Sequence, residues 1–396
     1  MTQESRGGSS VWANHPLLTD DARRSTAQSD LIRAYRGQMP SRRPVWFMRQ
    51  AGRSLPEYRR LREGTTMLDA CVNPELASEI TLQPVRRHDV DAAIFFSDIV
   101  IPLRLAGIGV EIQPGVGPVL EKPVRTAQDV AALPDLDQLG PEIFAPIAEA
   151  VQRTVAELGP RPLIGFAGAP FTVAAYMVEG KPSRDHLGPR AMMHREPETW
   201  EALMRWAAHA SGLFLAAQVR AGASAVQLFD SWAGSLSRTD YQHSVMPYSA
   251  LALAELDSLR AELDLPVVHF GTGTAEILDL MREAGASVIG VDYRIGLDEA
   301  YRRLQARRGE QAQPLRALQG NIDPAFLDAG WPTLEAHTRA VLAAGECAPG
   351  HVVNLGHGVP PSTDPEVLTE LVSFIHSISV GVRSAEDSQG VVLPHE

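Results

Sequence analysis

Arginine is concentrated in one stretch of an otherwise acidic chain. Residues 33–62 contain nine arginines, no lysine and one acid, Glu57, although the formal net charge of all 396 residues is −12. A planar guanidinium pairs bidentately with carboxylate or phosphate, so such a cluster is typical of an anion-binding site. Arg49 and Arg53 stand on either side of Gln-Ala-Gly, directly after a short apolar run. We predict that both side chains point into a binding cleft.

Further arginines lie on a helix that is predicted to begin at Pro56. Arg62 is one of them. Arg59 and Arg60 fit a solvated helix face equally well, because charged residues on a helix usually face water. Both interpretations stay open for these two residues.

Other polar side chains follow apolar runs elsewhere. Asp98 comes directly after Ile-Phe-Phe-Ser, where an aspartate by itself is usually a helix cap. The neighbouring cationic stretch favours a functional role for it. His357 stands between two glycines in the motif NLGHGV, which predicts an exposed and mobile ring. Tyr176 ends a stretch of small residues that lets backbone amides approach a ligand, although the stretch matches neither a P-loop nor GxGxxG.

Composition excludes several classes of protein. The net charge of −12 argues against general nucleic-acid binding. No run of 18 apolar residues is present, so we expect no membrane-spanning segment, and the first thirty residues lack the apolar stretch of a secretion signal. Cys71 and Cys347 are far apart and form no CxxC pattern, which argues against a disulfide scaffold and a structural zinc site. We expect a cytoplasmic protein that holds no metal.

Eight short apolar runs alternate with helical stretches, and most of them end in Gly, Asp, Ser or Asn. The runs are 45–48, 92–96, 163–167, 225–229, 267–270, 287–291, 315–318 and 351–355. This alternation predicts an α/β fold of the (β/α)8 TIM-barrel class, with a doubly wound sheet as the alternative. In such barrels the active site lies at the carboxyl ends of the strands, so the polar residues that follow the runs should converge there. They are Arg49, Arg53, Asp98, Tyr176, Asp230, Ser231, Thr272, Asp292, Arg294, Asn321, Asp323 and His357.

The polar ends of the chain enclose one predicted domain. Residues 1–30 are predicted to be a flexible N-terminal tail, residues 31–380 the barrel, and residues 381–396 a flexible C-terminal tail. Further predicted elements are a hairpin or loop at 107–124 and helices at 200–221, at 274–284 and from about Thr363 onward.

Seven motifs occur in the order and spacing of one known family. They are RQAGRSLPEYR, FSDI, GAPFT with YMVEG, LFDSWAG, VDYR, QGNIDP and NLGHGV, and they extend from about residue 44 to about residue 378. On these motifs the chain resembles the uroporphyrinogen decarboxylases. The resemblance implies a single-domain TIM barrel that acts as a homodimer in haem biosynthesis without a metal or prosthetic group. It also implies a reaction that converts the four acetates of uroporphyrinogen III to methyl groups, giving coproporphyrinogen III.

The resemblance assigns site residues as well. Seven positions match the substrate-binding residues of the family: Arg49, Arg53, Arg62, Asp98, Tyr176, Ser231 and His357. Four of them are expected to take part in catalysis: Asp98, Arg49, Tyr176 and His357. The arginines correspond to carboxylate ligands and Asp98 to the aspartate that binds the pyrrole N–H groups. Ser54 and Trp232 look like neutral local variation.

Loss of carbon dioxide from an acetate leaves carbanion-like charge, which needs an electron sink. Lys122 and Lys181 lie on no predicted strand and no metal-ligand cluster is visible, so a Schiff base or a metal is not expected. We expect no cofactor: a pyrrole of the substrate, protonated on a ring carbon, would accept the electrons, and Asp98 would stabilise that cation. Arginine is a poor general acid, so the proton donor stays open among His357, Tyr176 and an ordered water.

Two other functions fit a barrel. A corrinoid-linked methyltransferase of the same superfamily would bind zinc through His-x-Cys and a later Cys, but the corresponding places here read HFG (269–271) and GHG (356–358). A non-catalytic tetrapyrrole or anion carrier would not need Asp98 opposite the arginines. Turnover of uroporphyrinogen separates these possibilities.

Overall fold

A curled parallel β-sheet forms the centre of the fold. The computed structural model describes residues 12–307 and 313–380 of the chain. Its strands are β1 (Ala93–Ile94), β2 (Val110–Gln113), β3 (Gly117–Leu120), β4 (Leu163–Gly168), β5 (Ala225–Asp230), β6 (Val267–Gly271), β7 (Val288–Gly290), β8 (Ala317–Gln319) and β9 (His351–Val352). Seven of them pair in parallel in the order β1–β4–β5–β6–β7–β8–β9, and β2 and β3 form a separate antiparallel hairpin. β4, β6, β7 and β8 are buried throughout, as expected for a parallel sheet covered by helices. The fold is mixed α/β and TIM-barrel-like.

Helices connect the strands and extend the loops between them. In the described residues they are α1 (Asp30–Tyr35), α2 (Pro56–Leu61), α3 (Met67–Cys71), α4 (Pro74–His88), α5 (Ile101–Leu105), α6 (Ala127–Ala131), α7 (Leu136–Leu139), α8 (Ala145–Leu158), α9 (Pro170–Glu179), α10 (Leu187–Arg195), α11 (Pro197–Arg220), α12 (Arg238–Ser244), α13 (Met246–Ala254), α14 (Asp257–Leu263), α15 (Leu278–Glu283), α16 (Leu297–Ala306), α17 (Trp331–Gly345) and α18 (Pro365–Ser377). Over the same residues, no helix combines the length and apolar composition that a membrane crossing needs.

The first predicted strand, 45–48, joins the sheet through a single bridge. Val45 pairs in parallel with Val353, and its carbonyl accepts a hydrogen bond from the backbone N–H of Asp91 at 2.9 Å. The segment therefore lies between β9 and the start of β1, the two ends of the strand order. The pairing does not continue as a ladder, because the backbone N–H groups of Phe47 and Met48 bond to side chains. The Phe47 N–H donates to Gln50 at 2.9 Å and the Met48 N–H donates to Asn354 at 3.0 Å.

The other predicted elements agree well with the structure. Each of the seven later apolar runs overlaps an observed strand, and β2 with β3 confirms the hairpin at 107–124. α11 confirms the long helix at 200–221, and α18 begins at Pro365, capped by the Asp364 side chain. The helix at 274–284 was predicted too long. α15 begins only at Leu278 because Thr274 closes a turn, its hydroxyl donating to the Gly271 carbonyl and its carbonyl accepting from the Ile277 N–H.

Contacts with the barrel begin well before residue 31. His15 is buried and bonds through Nε2 to the Val219 carbonyl at 3.0 Å, and Leu17 is buried in the main hydrophobic cluster. The hydroxyls of Thr26 and Ser224 are 2.8 Å apart. The packed part of the chain thus includes much of the segment assigned to the N-terminal tail, whereas residues 1–11 and the C-terminal tail at 381–396 lie outside the described residues.

The side chain of Asp91 holds the 45–48 segment in place, and its loss should be costly. Its carboxylate accepts hydrogen bonds from the Val45 N–H at 2.8 Å and from Arg42 at 2.7 Å, and lies 2.7 Å from Nε2 of His376 on α18. We expect Asp91→Ala to lower the free energy of unfolding by about 3 kcal/mol, because it leaves several buried groups without a partner. Denaturant titration measures this change.

Glu201→Ala is the matched control. It removes a carboxylate that pairs with Arg205 one helical turn away on the surface, and such pairs contribute only about 0.5 kcal/mol. If Asp91→Ala destabilised the chain no more than Glu201→Ala, the buried carboxylate would not be what holds the segment.

Candidate active site

Three loops at the carboxyl ends of neighbouring strands bring Arg49, Asp98 and His357 together. Arg49 follows the Val45 bridge, Asp98 follows β1 and His357 follows β9. Arg49 adopts a left-handed backbone conformation, with φ of 61°, which is uncommon for a residue with a side chain. Its side chain lies against Gly358, where an added Cβ would come within 2.5 Å of the Arg49 Cδ. The glycine after His357 therefore leaves the space that Arg49 occupies.

Asp98 lies in the turn before α5, whose N-cap residue is Val100 and which has no side-chain cap. One carboxylate oxygen accepts a hydrogen bond from the Val100 N–H at 3.1 Å and so closes the turn before α5. Burial raises the pKa of this carboxyl above its ordinary value, while that backbone bond and the Arg49 guanidinium oppose the rise. The result is a carboxylate of fixed orientation, desolvated and next to a cation.

Tyr176 on α9 and His357 complete this first group. Burial, with the negative charge of Asp98 as a second cause, raises the pKa of Tyr176 to about 12. Partial desolvation lowers the pKa of His357, and the positive charge of Arg49 lowers it further. At neutral pH the phenol is therefore protonated and the imidazole neutral, so both are neutral hydrogen-bonding groups beside the Asp98–Arg49 charges.

Arg53 and Arg62 form a second group beside Tyr58. The Arg62 guanidinium lies over the Tyr58 ring, 5.7 Å from its centroid, and the charges of both arginines act on the Tyr58 hydroxyl. Nε and Nη1 of Arg62 are buried and have no hydrogen-bond partner in the described residues. The two groups are linked through Cys71, whose thiol pKa is raised chiefly by burial and responds to both Asp98 and Arg62.

Some arginines in this part of the chain have a carboxylate partner and others do not. Arg43 pairs with Glu346 and Arg87 with Glu57, both at 2.7 Å. Buried guanidinium nitrogens without a partner are costly. Two nitrogens of Arg62 carry this cost within the described residues.

Ser231 is followed by Trp232, for which the sequence predicted no functional role. The Ser231 carbonyl accepts a hydrogen bond from Thr272 at 2.8 Å, and the next residue, Trp232, stacks on Tyr176 with ring centroids 3.9 Å apart. The other face of the indole stacks on His186 at 4.1 Å. Trp232 thus fixes the ring of Tyr176. No periodicity or motif signals this contact, because it joins residues of different loops.

Two hydrogen bonds of the Thr172 hydroxyl set the position of Trp232. The Thr172 hydroxyl donates to Asp230 at 2.9 Å and accepts from the Trp232 N–H at 3.3 Å. Asp230 is fully buried beneath the mouth, 3.6 Å from Nε2 of His269. Asp230 was predicted among the converging polar residues, but it supports the loop from below instead of facing a ligand.

Two other residues from that prediction also have structural roles. The Asn321 amide donates to the carbonyls of Asp292 and Ile295 at 2.9 and 2.6 Å. Asp323 caps the short 3-10 helix Pro324–Asp328 through the Ala325 N–H. The described residues contain no group of three or more His, Cys, Asp or Glu side chains that could hold a metal ion.

Known proteins similar to this chain come from one family. A family model described as Uroporphyrinogen decarboxylase (URO-D) matches residues 26–378. A protein named uroporphyrinogen decarboxylase from Arthrobacter sp. is 69% identical over 354 residues, which are 89% of this chain and 98% of that protein. Its namesake from Leifsonia xyli is 57% identical over 376 residues, covering 91% and 97%. A third, from Saccharopolyspora erythraea, is 54% identical over 357 residues, covering 90% and 97%.

A solved structure with a similar fold is named as a different kind of enzyme. It is a methyltransferase from Methanosarcina mazei, with a TM-score of 0.71 and 21% sequence identity over 88% of this chain and 98% of that chain. A likeness at this identity shows the fold alone. It agrees with the TIM-barrel-like arrangement of the strands.

The stacking of Trp232 on Tyr176 should matter for turnover. We expect Trp232→Leu to lower kcat/KM roughly fivefold to tenfold, because an aromatic pair contributes about 0.5–1.5 kcal/mol beyond its buried area. Trp232→Phe keeps a ring against Tyr176 and should recover most of the loss. Steady-state kinetics and the melting temperature are measured for each variant.

Trp331→Leu serves as the control, since it removes the edge-on contact of Trp331 with Phe374, 5.7 Å away on α18. It should change the melting temperature and leave kcat/KM within twofold. Unchanged turnover in Trp232→Leu would make Trp232 a packing residue only.

Proposed function

The chain belongs to the uroporphyrinogen decarboxylase family and is thus a carboxy-lyase of porphyrin biosynthesis; we propose that the mouth around Arg49, Asp98 and His357 is its active site. The reaction removes the carboxyl groups of the four acetate arms of uroporphyrinogen III and leaves methyl groups, giving coproporphyrinogen III. One observation carries the proposed location. The buried, unpaired guanidinium of Arg62 belongs to the same group of loops as the desolvated carboxylate of Asp98.

The substrate is a polyanion, which explains the arrangement of the arginines. Arg49, Arg53 and Arg62 make no ion pair with a carboxylate in the described residues, so their N–H groups are available to the acetate and propionate arms. A guanidinium that held the reacting carboxylate would stabilise the ground state and slow its loss. We therefore propose that these arginines mainly hold carboxylates that are not reacting in the current step.

Asp98 supplies the charge that the reaction requires. Protonation of a pyrrole on a ring carbon creates a cation that accepts the electrons released with carbon dioxide. A carboxylate beside the pyrrole N–H groups stabilises that cation, and it stabilises the neutral pyrrole much less. Because the Val100 N–H already fixes Asp98, little reorganisation is needed when the cation forms.

Tyr176 and His357 orient the substrate by neutral hydrogen bonds. The pKa of Tyr176 is raised to about 12 and that of His357 is lowered, so neither carries a charge at neutral pH. Each presents an N–H or O–H to a carboxylate arm or to a bound water. Ser231, at the end of β5, adds a hydroxyl to the same rim, next to the Trp232 that stacks on Tyr176.

The remaining parts of the proposal rest on the family alone. We propose a closed eight-unit barrel that forms one domain, in which the 45–48 segment takes the place of the first strand. We propose a homodimer that works in the cytoplasm without metal or cofactor. Sedimentation at micromolar concentration measures the oligomeric state.

The alternatives are not favoured. A zinc-dependent methyltransferase needs cysteines that are absent at 269–271 and 356–358, and the three relatives from Arthrobacter sp., Leifsonia xyli and Saccharopolyspora erythraea carry the decarboxylase name. The test is turnover of uroporphyrinogen III without oxygen, with and without a chelator. Coproporphyrinogen III at an equal rate in both samples is the expected result. Activity lost to the chelator and restored by zinc would contradict the proposal, and binding without turnover would indicate a carrier.

Asp98→Asn separates the proposed catalytic role from the structural role of closing the turn before α5. The Asn side-chain oxygen can still accept the hydrogen bond from the Val100 N–H, so the variant should fold, and it can still accept a hydrogen bond from a pyrrole N–H. It lacks the negative charge, so we expect kcat to fall at least about a hundredfold with a modest change in KM. Near-normal kcat in the folded variant would leave Asp98 with the structural role only.

The same substitution should raise stability. The folded-state pKa of Asp98 lies above its unfolded value, so the charged carboxylate destabilises the folded chain at any pH above that raised pKa. Asn removes this penalty. We expect a higher melting temperature than wild type at pH 8, with a difference that shrinks as the pH falls through the raised pKa. A lower melting temperature at pH 8 would mean that the attraction of the negative charge to Arg49 and to the backbone N–H donors outweighs the desolvation.

A further inference from the structure

A fourth arginine lies beside the proposed active site and has no assigned role. Arg294 follows β7 in the loop 291–296, and the loop backbone packs against the one that carries His357. The backbone N–H of Tyr293 lies so close to Gly356 that a side chain at Gly356 would collide with it. Since Arg49 lies against Gly358 in the same way, Arg294 and Arg49 both border the short loop of His357.

The guanidinium of Arg294 is held by a carboxylate and an aromatic ring. It donates to the Asp292 carboxylate, which is 2% exposed and also accepts from the Gly273 N–H at 2.6 Å. Its plane lies over the Tyr293 ring, 4.7 Å from the centroid. Both contacts restrict the side chain, yet 49% of it remains exposed. The charge of Arg294 acts on the His357 ring, so the guanidinium lies within electrostatic range of the proposed active site.

We infer that Arg294 is a further carboxylate-binding residue of this enzyme, which holds one arm of the polyanionic substrate beside His357. The inference rests on the proposed location of the active site and adds a ligand to it. A guanidinium already anchored by a carboxylate and an aromatic ring loses little conformational entropy when it pairs with an incoming carboxylate. A second cation also acts on His357: with Arg49 it contributes to the lowered pKa of that ring.

A competing explanation for Arg294 is that its guanidinium only neutralises the charge of the buried Asp292 carboxylate. That carboxylate has two backbone donors besides the guanidinium, the Gly273 N–H at 2.6 Å and the Arg294 N–H at 3.2 Å. The backbone thus satisfies part of its hydrogen-bonding capacity without the guanidinium. A purely neutralising arginine would affect stability, whereas a substrate ligand would affect KM.

Arg42 provides a matched control at the opposite end of the sheet. It too is a partly exposed arginine on a buried aspartate: its side chain is 39% exposed and pairs at 2.7 Å with Asp91, which is 6% exposed. Arg42 precedes Val45 and Asp91 precedes β1, so this pair lies at the amino ends of the strands. Arg42→Gln therefore repeats the electrostatic change of Arg294→Gln away from the mouth.

The experiment compares KM for uroporphyrinogen III among wild type, Arg294→Gln, Arg294→Lys and Arg42→Gln, with the melting temperature of each. We expect Arg294→Gln to raise KM roughly tenfold with kcat within twofold. Arg294→Lys keeps the charge without the planar fork and should recover part of the loss. Arg42→Gln should leave KM within twofold, whatever its effect on melting temperature.

Two results would overturn the inference while leaving the proposed function intact. One is a KM within twofold of wild type in Arg294→Gln, and the other is an equal rise in Arg42→Gln. A wild-type enzyme that produced no coproporphyrinogen III would remove the proposed function and this inference together.

Discussion

The placement of the Val45 segment decides where the chemistry of this protein can occur. The ladder of seven strands leaves β1 and β9 at its two ends, and Val45 bonds to the chain at both of them. The loop after each of these three segments then opens on the same side, which brings Arg49, Asp98 and His357 together from distant parts of the sequence. The buried carboxylate of Asp91 fixes this arrangement, because it ties Val45 to Arg42 on one side and to His376 of the last helix on the other.

The proposed active site contains polar groups whose burial lowers the stability of the folded chain. Asp98 keeps a carboxylate where burial disfavours its charge, and Arg62 keeps buried guanidinium nitrogens without any partner in the described residues. Other arginines of the same region are paired, as Arg87 is with Glu57. Strain and unsatisfied groups of this kind persist where the surrounding structure enforces them, and they concentrate at functional sites. In the proposed site the substrate would supply carboxylates for the arginines and a cation for Asp98.

Much of this could be predicted from the sequence, for a physical reason. Parallel strands buried on both faces are continuous apolar runs, so seven of the eight runs overlap observed strands, and their order fixes which loops share a mouth. The 45–48 run failed as a full strand because Gln50 and Asn354 side chains take its backbone donors, a long-range contact that periodicity does not report. Trp232 was missed for the same reason, since its stacking on Tyr176 joins two loops. Polar residues after strands were predicted to face the ligand, but Asp230 and Asn321 bond to the chain itself. Only the tertiary packing shows which polar residues face a ligand and which bond to the chain.

Helix capping and catalysis were alternative interpretations of Asp98. In the structure its carboxylate closes the turn before α5 instead of capping the helix, and the same hydrogen bond would hold the carboxylate in place for the proposed catalytic role. A free aspartate would rotate to follow whichever charge is nearest, and energy spent on reorienting it would be taken from transition-state stabilisation. The hydrogen bond from the Val100 N–H prevents that rotation, and the neighbouring Arg49 is itself confined by its left-handed backbone and by Gly358. Arg49 and Asp98 interact electrostatically but form no direct ion pair in the described residues. In the proposed site, both groups would therefore remain available, the carboxylate for the pyrrole N–H groups of the substrate and the guanidinium for its carboxylate arms.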